Sequence, residues 1–202
     1  MTTDTVDDQQ PLFTTDPKGP ADPDDVDPGM LDTDPEFGPA DIDDGRPLGP
    51  VNWNLLTASE AQTEWLDLNA WVHWLRATYG LPPSVIPPYW HRHDELVWEL
   101  SALHLHWLNS YDPDSSLSAP LAWHRDFADA RNRLRTWVST CGTRIDRDRA
   151  TRQTAWPGET SIRPAPEEGI EDREADFAQF VTDDVTARQH IEERVRAQPN
   201  SP

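Results

Sequence analysis

The stretch Thr57-Ala58-Ser59-Glu60-Ala61-Gln62-Thr63-Glu64-Trp65-Leu66-Asp67-Leu68-Asn69-Ala70-Trp71-Val72-His73-Trp74-Leu75-Arg76-Ala77-Thr78-Tyr79-Gly80 decides the fold class. Thr57 and Glu60 have the capping-box spacing, in which a hydroxyl and a carboxylate satisfy backbone N–H groups that a helix start leaves without partners. Ala61, Trp65, Leu68, Val72, Leu75 and Tyr79 follow at spacings of 4, 3, 4, 3 and 4, which puts them on one helical face. Trp71 and Trp74 widen that face. Gly80 supplies a C-terminal stop and Pro82-Pro83 forbid continuation, so the spacing predicts a helix over about 59–79.

Working outward, a stiff linker through Pro87-Pro88 leads to a second helix over about 91–110, with Asp94 and Glu95 near its positive end. Its stripe is Leu96, Leu100, Leu103 and Trp107, and Asp112-Pro113 ends it. Ser118 is placed to cap a third helix that tolerates Pro120 in its first turn, where an N–H has no helical acceptor to lose. Phe127, Ala130, Leu134, Trp137 and Cys141 form that stripe, and Gly142 stands where a left-handed stop belongs. Three amphipathic helices on short proline-bearing loops bury their stripes against one another. The expected fold is therefore all-α, a small antiparallel three-helix bundle over 52–142. Nine of the ten tryptophans fall inside that span, and large aromatics, each burying roughly 150–250 Å², help a core of this size reach stability.

The rest of the chain reads differently. Residues 1–50 carry fourteen acids against Lys18 and Arg46 and nine prolines, so residues 1–51 are expected to be a disordered acidic arm. Most of the formal charge of −20 resides there. Residues 143–170 read as a polar linker and 198–202 as a disordered end. Between them, 171–197 has helix-favouring composition with an imperfect stripe of Phe177, Phe180, Val181, Val185, Ile191 and Val195, which suits a helix or two docking on the bundle or on a partner. The apolar share of 36% is below the roughly 45–50% of an ordinary globular chain, as these flanks require. No apolar run approaches the roughly 20 residues that span a bilayer, and Met1-Thr2-Thr3-Asp4 lacks the positive start and apolar centre of a secretory signal. Cys141 is the only cysteine, which excludes an intrachain disulfide. A cytoplasmic protein without membrane contact is expected.

Three words inside the bundle, Trp90-His91-Arg92-His93, Glu99-Leu100-Ser101-Ala102-Leu103-His104 and Ala119-Pro120-Leu121-Ala122-Trp123-His124-Arg125-Asp126-Phe127-Ala128, resemble the actinobacterial family known as domain of unknown function 4913. The likeness covers about residues 60–142. It implies a short protein associated with a plasmid, an integrated element or a phage, and no activity.

The chemistry-bearing residues point to no reaction. Six of seven histidines, His73, His91, His93, His104, His106 and His124, lie in the bundle, yet none forms an i, i+4 pair or a His-Glu-x-x-His word. His91, His93 and Asp94 could converge with His124 only through the fold. Asp94, Glu95, Glu99, Asp126 and Asp129 have the spacing of solvated helix faces, and Asp129 is placed to pair with Arg133. No phosphate loop or nucleophile elbow occurs. No catalytic residue, cofactor or metal ligand is assigned.

Two surfaces suggest partners. Trp71, Trp74, Trp90, Trp98 and Trp123 lie off the main stripes and are expected to form an exposed aromatic patch, the usual anchor of a protein interface. Arg125, Arg131, Arg133, Arg135, Arg144, Arg147, Arg149 and Arg152 face only Asp126, Asp129, Asp146 and Asp148 within the same stretch, which suits either a solvated helix face or a polyanion patch. Imitation of DNA by the net charge is disfavoured, because most acids lie in the arm rather than on a rigid surface. The leading reading is a non-enzymatic accessory protein acting through an unknown protein partner or a homo-oligomer. The alternatives are a weak nucleic-acid binder using the arginine patch, gated by the acidic arm, and an unrecognised metal-dependent enzyme using the bundle histidines.

Overall fold

Thr57 caps the first helix as its spacing predicts: its hydroxyl accepts from the Glu60 N–H, and the Glu60 carboxylate accepts from the Thr57 N–H at 2.9 Å. In the computed structural model, which describes residues 49–160 and 165–198, this helix, α1, spans Ala58–Thr78. Tyr79 is its C-cap, and Gly80 follows at φ 57°, a left-handed conformation that costs glycine nothing. α2 is Asp94–Ser110, α3 is Ala119–Thr140 and α4 is Arg173–Ala197. A two-stranded antiparallel ribbon of β1, Arg147–Asp148, and β2, Glu168–Gly169, pairs Arg147 with Gly169 and Asp148 with Glu168. The acidic arm, up to residue 48, and residues 199–202 lie outside the described residues. All the described residues belong to one unit beginning at Arg46.

The protein is mostly helical, and its core is shared by four helices rather than by the three of a self-contained bundle. α2 packs on α3, α1 on α2, and α4 on α1. α2 and α3 run antiparallel, as shown by the ion pair Glu99–Arg133 and the contact His106–Asp126. α1 and α4 do likewise, with Ala58 opposite Glu192 and Asn69 opposite Arg173. Phe177 and Val181 of α4 are core residues, and Phe180 and Val185 pack on the core. Trp65 of α1 sits among Trp53, Trp90, Phe177 and Phe180, with ring centroids 4.2, 6.2, 6.5 and 5.3 Å away. At the other end of α1, Tyr79 meets Phe127 and Trp123 of α3 at 5.0 and 5.9 Å.

Several local expectations are corrected. α2 begins at Asp94, and Trp90–Arg92 form a separate 3-10 turn. Ser118 does not cap α3 with its side chain, although Pro120 does occupy the first turn. The α3 stripe is Trp123, Phe127, Ala130 and Leu134, while Trp137 drops out of it and is 42% exposed. Gly142 has no positive φ; a Cβ there would overlap the Arg149 side chain, so its role is close approach rather than a left-handed stop. The 81–88 linker is packed, with Leu81, Val85 and Ile86 in the core. Ile191 and Val195 are exposed, because Arg188 and Glu192 continue the docking face of α4 in their place. No helix among the described residues is long and apolar enough to cross a membrane.

Candidate functional site

The word Tyr89-Trp90-His91-Arg92-His93 is met by Ile145, Asp148, Thr151, Glu168, Ile170 and Asp176. Tyr89 Oη donates toward the carbonyls of Ile170 and Ile145, at 3.1 and 3.4 Å. Arg92 grips Asp176 of α4 through two nitrogens, with Nε to Oδ2 at 3.1 Å, and reaches Glu168 of β2 at 3.1 Å. His91 Nε2 stands 2.9 Å from the same Asp176. Burial pushes the His91 pKa down to about 4 against the pull of Asp176, with Arg173 and Arg92 adding to the drop. The neutral ring therefore donates from Nε2, which leaves its Nδ1 buried without a hydrogen bond. Asp176 resists the upward push of its own burial, because the Arg92 and His91 hydrogen bonds hold it below the usual carboxylate range. The charge partner of Asp176 is Arg92, and His91 is a neutral donor.

His93, the residue before α2, is buried and uses both ring nitrogens: Nε2 lies 2.8 Å from Asp148 Oδ1 and Nδ1 lies 2.8 Å from Thr151 Oγ1. Thr151 Oγ1 in turn donates to Glu95 Oε1 at 2.8 Å. Cys141, at the end of α3, completes the group. Its thiol points at the Val138 carbonyl at 3.5 Å, and one ligand atom each of His93, Glu95 and Cys141 lie within 4.8 Å of one another. Burial pushes the Cys141 thiol up and the Glu95 and Asp148 carboxylates add to this, against a backbone hydrogen bond at Thr143. Asp148 is itself 2% exposed, an unusual place for a carboxylate without a partner such as His93.

This cluster is not the one that histidine spacing suggested. His91 turns to α4, Asp94 is exposed, and His124 lies near Tyr111 at the opposite end of the α2–α3 hairpin. Glu95, Cys141, Asp148 and Thr151 were not grouped with His93 from the sequence. They reach it across separations of 55 and 58 residues for Asp148 and Thr151, through a segment whose composition reads as linker.

Of the five tryptophans expected on an exposed patch, three are core residues. Trp71, Trp90 and Trp123 are buried because the faces they widen meet α2, α4 and α1. Trp74 is half-buried against Trp107 at 4.9 Å. Trp98 is 40% exposed on the outer face of α2. Trp137, a core expectation, joins it at the surface. Glu99 and Arg133 form a bidentate ion pair with contacts down to 2.6 Å that ties the two helices; Trp98 precedes Glu99 in α2, and Trp137 lies one turn beyond Arg133 in α3.

The arginine patch is partly neutralised. Arg125 pairs with Asp126, Arg133 with Glu99, Arg144 with Glu167, and Arg147 with Asp146 and Glu167. Arg131 lies over the Phe127 ring at 5.9 Å. Arg135, Arg149 and Arg152 form no ion pair among the described residues. No family model, curated protein or solved structure matches the chain.

Proposed function

We propose that the chain is a non-enzymatic accessory protein that works as a protein-interaction module, with the outer surface of the α2–α3 hairpin as its docking face and a second copy of the chain as occupant. The observation that carries this reading is the exposure of two tryptophans, Trp98 of α2 and Trp137 of α3, on helices tied by Glu99–Arg133. Exposed tryptophans at a rigid helix pair are the residue type that most often anchors an interface. The charges favour a self-complementary contact. Beside the internal pairs Glu99–Arg133 and Arg125–Asp126, α2 offers the exposed Asp94, whereas α3 offers Arg131 and Arg135 against Asp129. A two-fold axis that lays α2 of one copy on α3 of the other matches acids with arginines twice over. The family resemblance adds the setting, an accessory protein of a plasmid, integrated element or phage.

Sedimentation velocity of the full chain over a hundredfold range of concentration tests it. The expected result is a reversible dimer that W98A/W137A abolishes without loss of helical circular dichroism. A monomer throughout that range rejects self-association. The nucleic-acid reading rests on the arginine patch gated by the acidic arm, with Arg135, Arg149 and Arg152 as its members outside any ion pair among the described residues; its signature is salt-dependent binding to short duplex DNA that rises when residues 1–50 are deleted and is lost in the triple alanine variant.

A further inference from the structure

We propose that His93, Glu95 and Cys141 form a binding site for one borderline-soft divalent transition metal ion of the Zn2+ class, with Asp148 orienting the histidine. Nitrogen, thiolate and carboxylate ligands together are the donor set of zinc-type ions, and neither calcium nor magnesium takes a thiolate. The three ligand atoms already lie within 4.8 Å of one another. A tetrahedral ion with bonds of roughly 2.0–2.3 Å holds its ligands roughly 3.3–3.8 Å apart, so closure asks each side chain to move by about 1 Å or less.

The hydrogen bonding supports the same conclusion. Asp148, buried and 2.8 Å from Nε2, takes the Nε2 proton and directs the other nitrogen at the cluster. That is the carboxylate–histidine arrangement that orients metal-bound imidazole. Nδ1 and Glu95 Oε1 each lie 2.8 Å from Thr151 Oγ1, so this hydroxyl bridges the two ligand residues. The positive N-terminal end of α2 opposes a cation here, but one thiolate and the Glu95 carboxylate neutralise a divalent ion, and Asp148 lies behind His93. Binding breaks the S–H bond of Cys141, releases its proton to solvent and forms a metal–sulfur bond, with no change of oxidation state. Three protein ligands leave a fourth position for water or the Thr151 hydroxyl. The ion would tie the start of α2 to the end of α3.

Titration of the full-length, untagged, chelator-treated chain with Co2+, followed by displacement with Zn2+, tests the site. The expected result is one Co2+ per chain, an intense near-ultraviolet thiolate-to-cobalt band, visible absorption of tetrahedral strength, and loss of all three on adding Zn2+. C141S should remove the near-ultraviolet band and weaken binding by about 100-fold or more, and D148N should keep the band while weakening binding by roughly 10–100-fold. Circular dichroism at each step reports folding. Should C141S fail to fold, E95Q decides, since it removes a half-buried ligand and should weaken binding at least about tenfold with the band retained. Absence of the band in the wild-type chain at excess Co2+ overturns the proposal. So does an affinity unchanged in C141S, or unchanged in E95Q where C141S does not fold, because the metal would then be held by other acids or by the exposed His190.

Discussion

His104 stacks on Trp71 with ring centroids 4.9 Å apart and planes 26° from parallel, and burial pushes its pKa down to about 4. His91, also held near 4 by burial, behaves the same way. An unfolded histidine titrates near 6.5, so between about pH 6.5 and pH 4 the unfolded chain binds protons that the native chain refuses. The folded pKa is depressed, so this stability is fully present above 6.5 and is lost as pH falls toward 4. His91 alone accounts for up to about 3 kcal/mol, at about 1.4 kcal/mol per unit. Urea midpoints at pH 7 and pH 5 check this: the midpoint should fall at pH 5, and H104L, which keeps an apolar side chain against Trp71, should reduce that fall. A pH-independent midpoint would contradict the buried neutral state of both rings. Asp176 acts in a different window. Its pKa is depressed, so its contribution disappears only as pH drops through the carboxylate range. D176N leaves Glu168 as the only carboxylate on Arg92 and one acceptor oxygen for Arg92 and His91 to share, and should destabilise the chain by about 3 kcal/mol at pH 7, read from urea unfolding.

At the scale of elements, α1 was legible in extent, because its cap, stripe and stop are local signals within one turn of the residues they affect, but not in the width of its buried face, which takes in Trp71. α3 was legible in extent but not in face: the spacing puts Trp137 in its stripe and Trp123 off it, whereas contact with Tyr79 at the end of α1 brings Trp123 into the core and Trp137 stays at the surface. The docking of α4 was the least legible. Its apolar stripe stops at Val185, and from there the helix holds α1 by polar groups that a hydrophobic pattern cannot register. Arg188 donates to the Trp53 and Leu56 carbonyls at 2.9 Å, Trp65 Nε1 donates to Asp184 at 3.0 Å, and Glu192 accepts from the Ala58 N–H at 2.7 Å. Glu192 thus caps α1 from another helix. E192A should cost about 1 kcal/mol, as loss of a helix cap does, and should speed amide exchange over 58–61 in hydrogen-exchange measurements. No change there would show that Thr57 suffices as the cap. The His93 cluster was hidden for a related reason: its members come from a helix start, a helix end, a two-residue strand and the segment after it, and the only one on a periodic stripe, Cys141, reads there as a core residue.

At the scale of the whole molecule, the question is whether 143–198 is an appendage on the 52–142 helices or part of one cooperative structure. Phe177 and Val181 lie in the same core as Trp65 and Trp90, and the segment that delivers α4 is held at Tyr89, Arg92 and His93. Removing α4 uncovers Trp65 and Trp90, two of the largest core side chains, and strands the Arg92 guanidinium and the buried His91 ring. The loss of apolar burial and the loss of buried polar partners act in the same direction, so the remaining helices should not keep their packing. Urea unfolding of the full chain, followed both by tryptophan fluorescence and by far-ultraviolet circular dichroism, should then give coincident midpoints. An appendage would behave differently: the helical signal would lose the α4 share first, at lower urea, while the tryptophans of α1, α2 and α3 kept their buried emission. F177A sharpens the comparison. In a single cooperative structure it costs about 3–5 kcal/mol and shifts both midpoints together, whereas in an appendage it lowers only the early helical step.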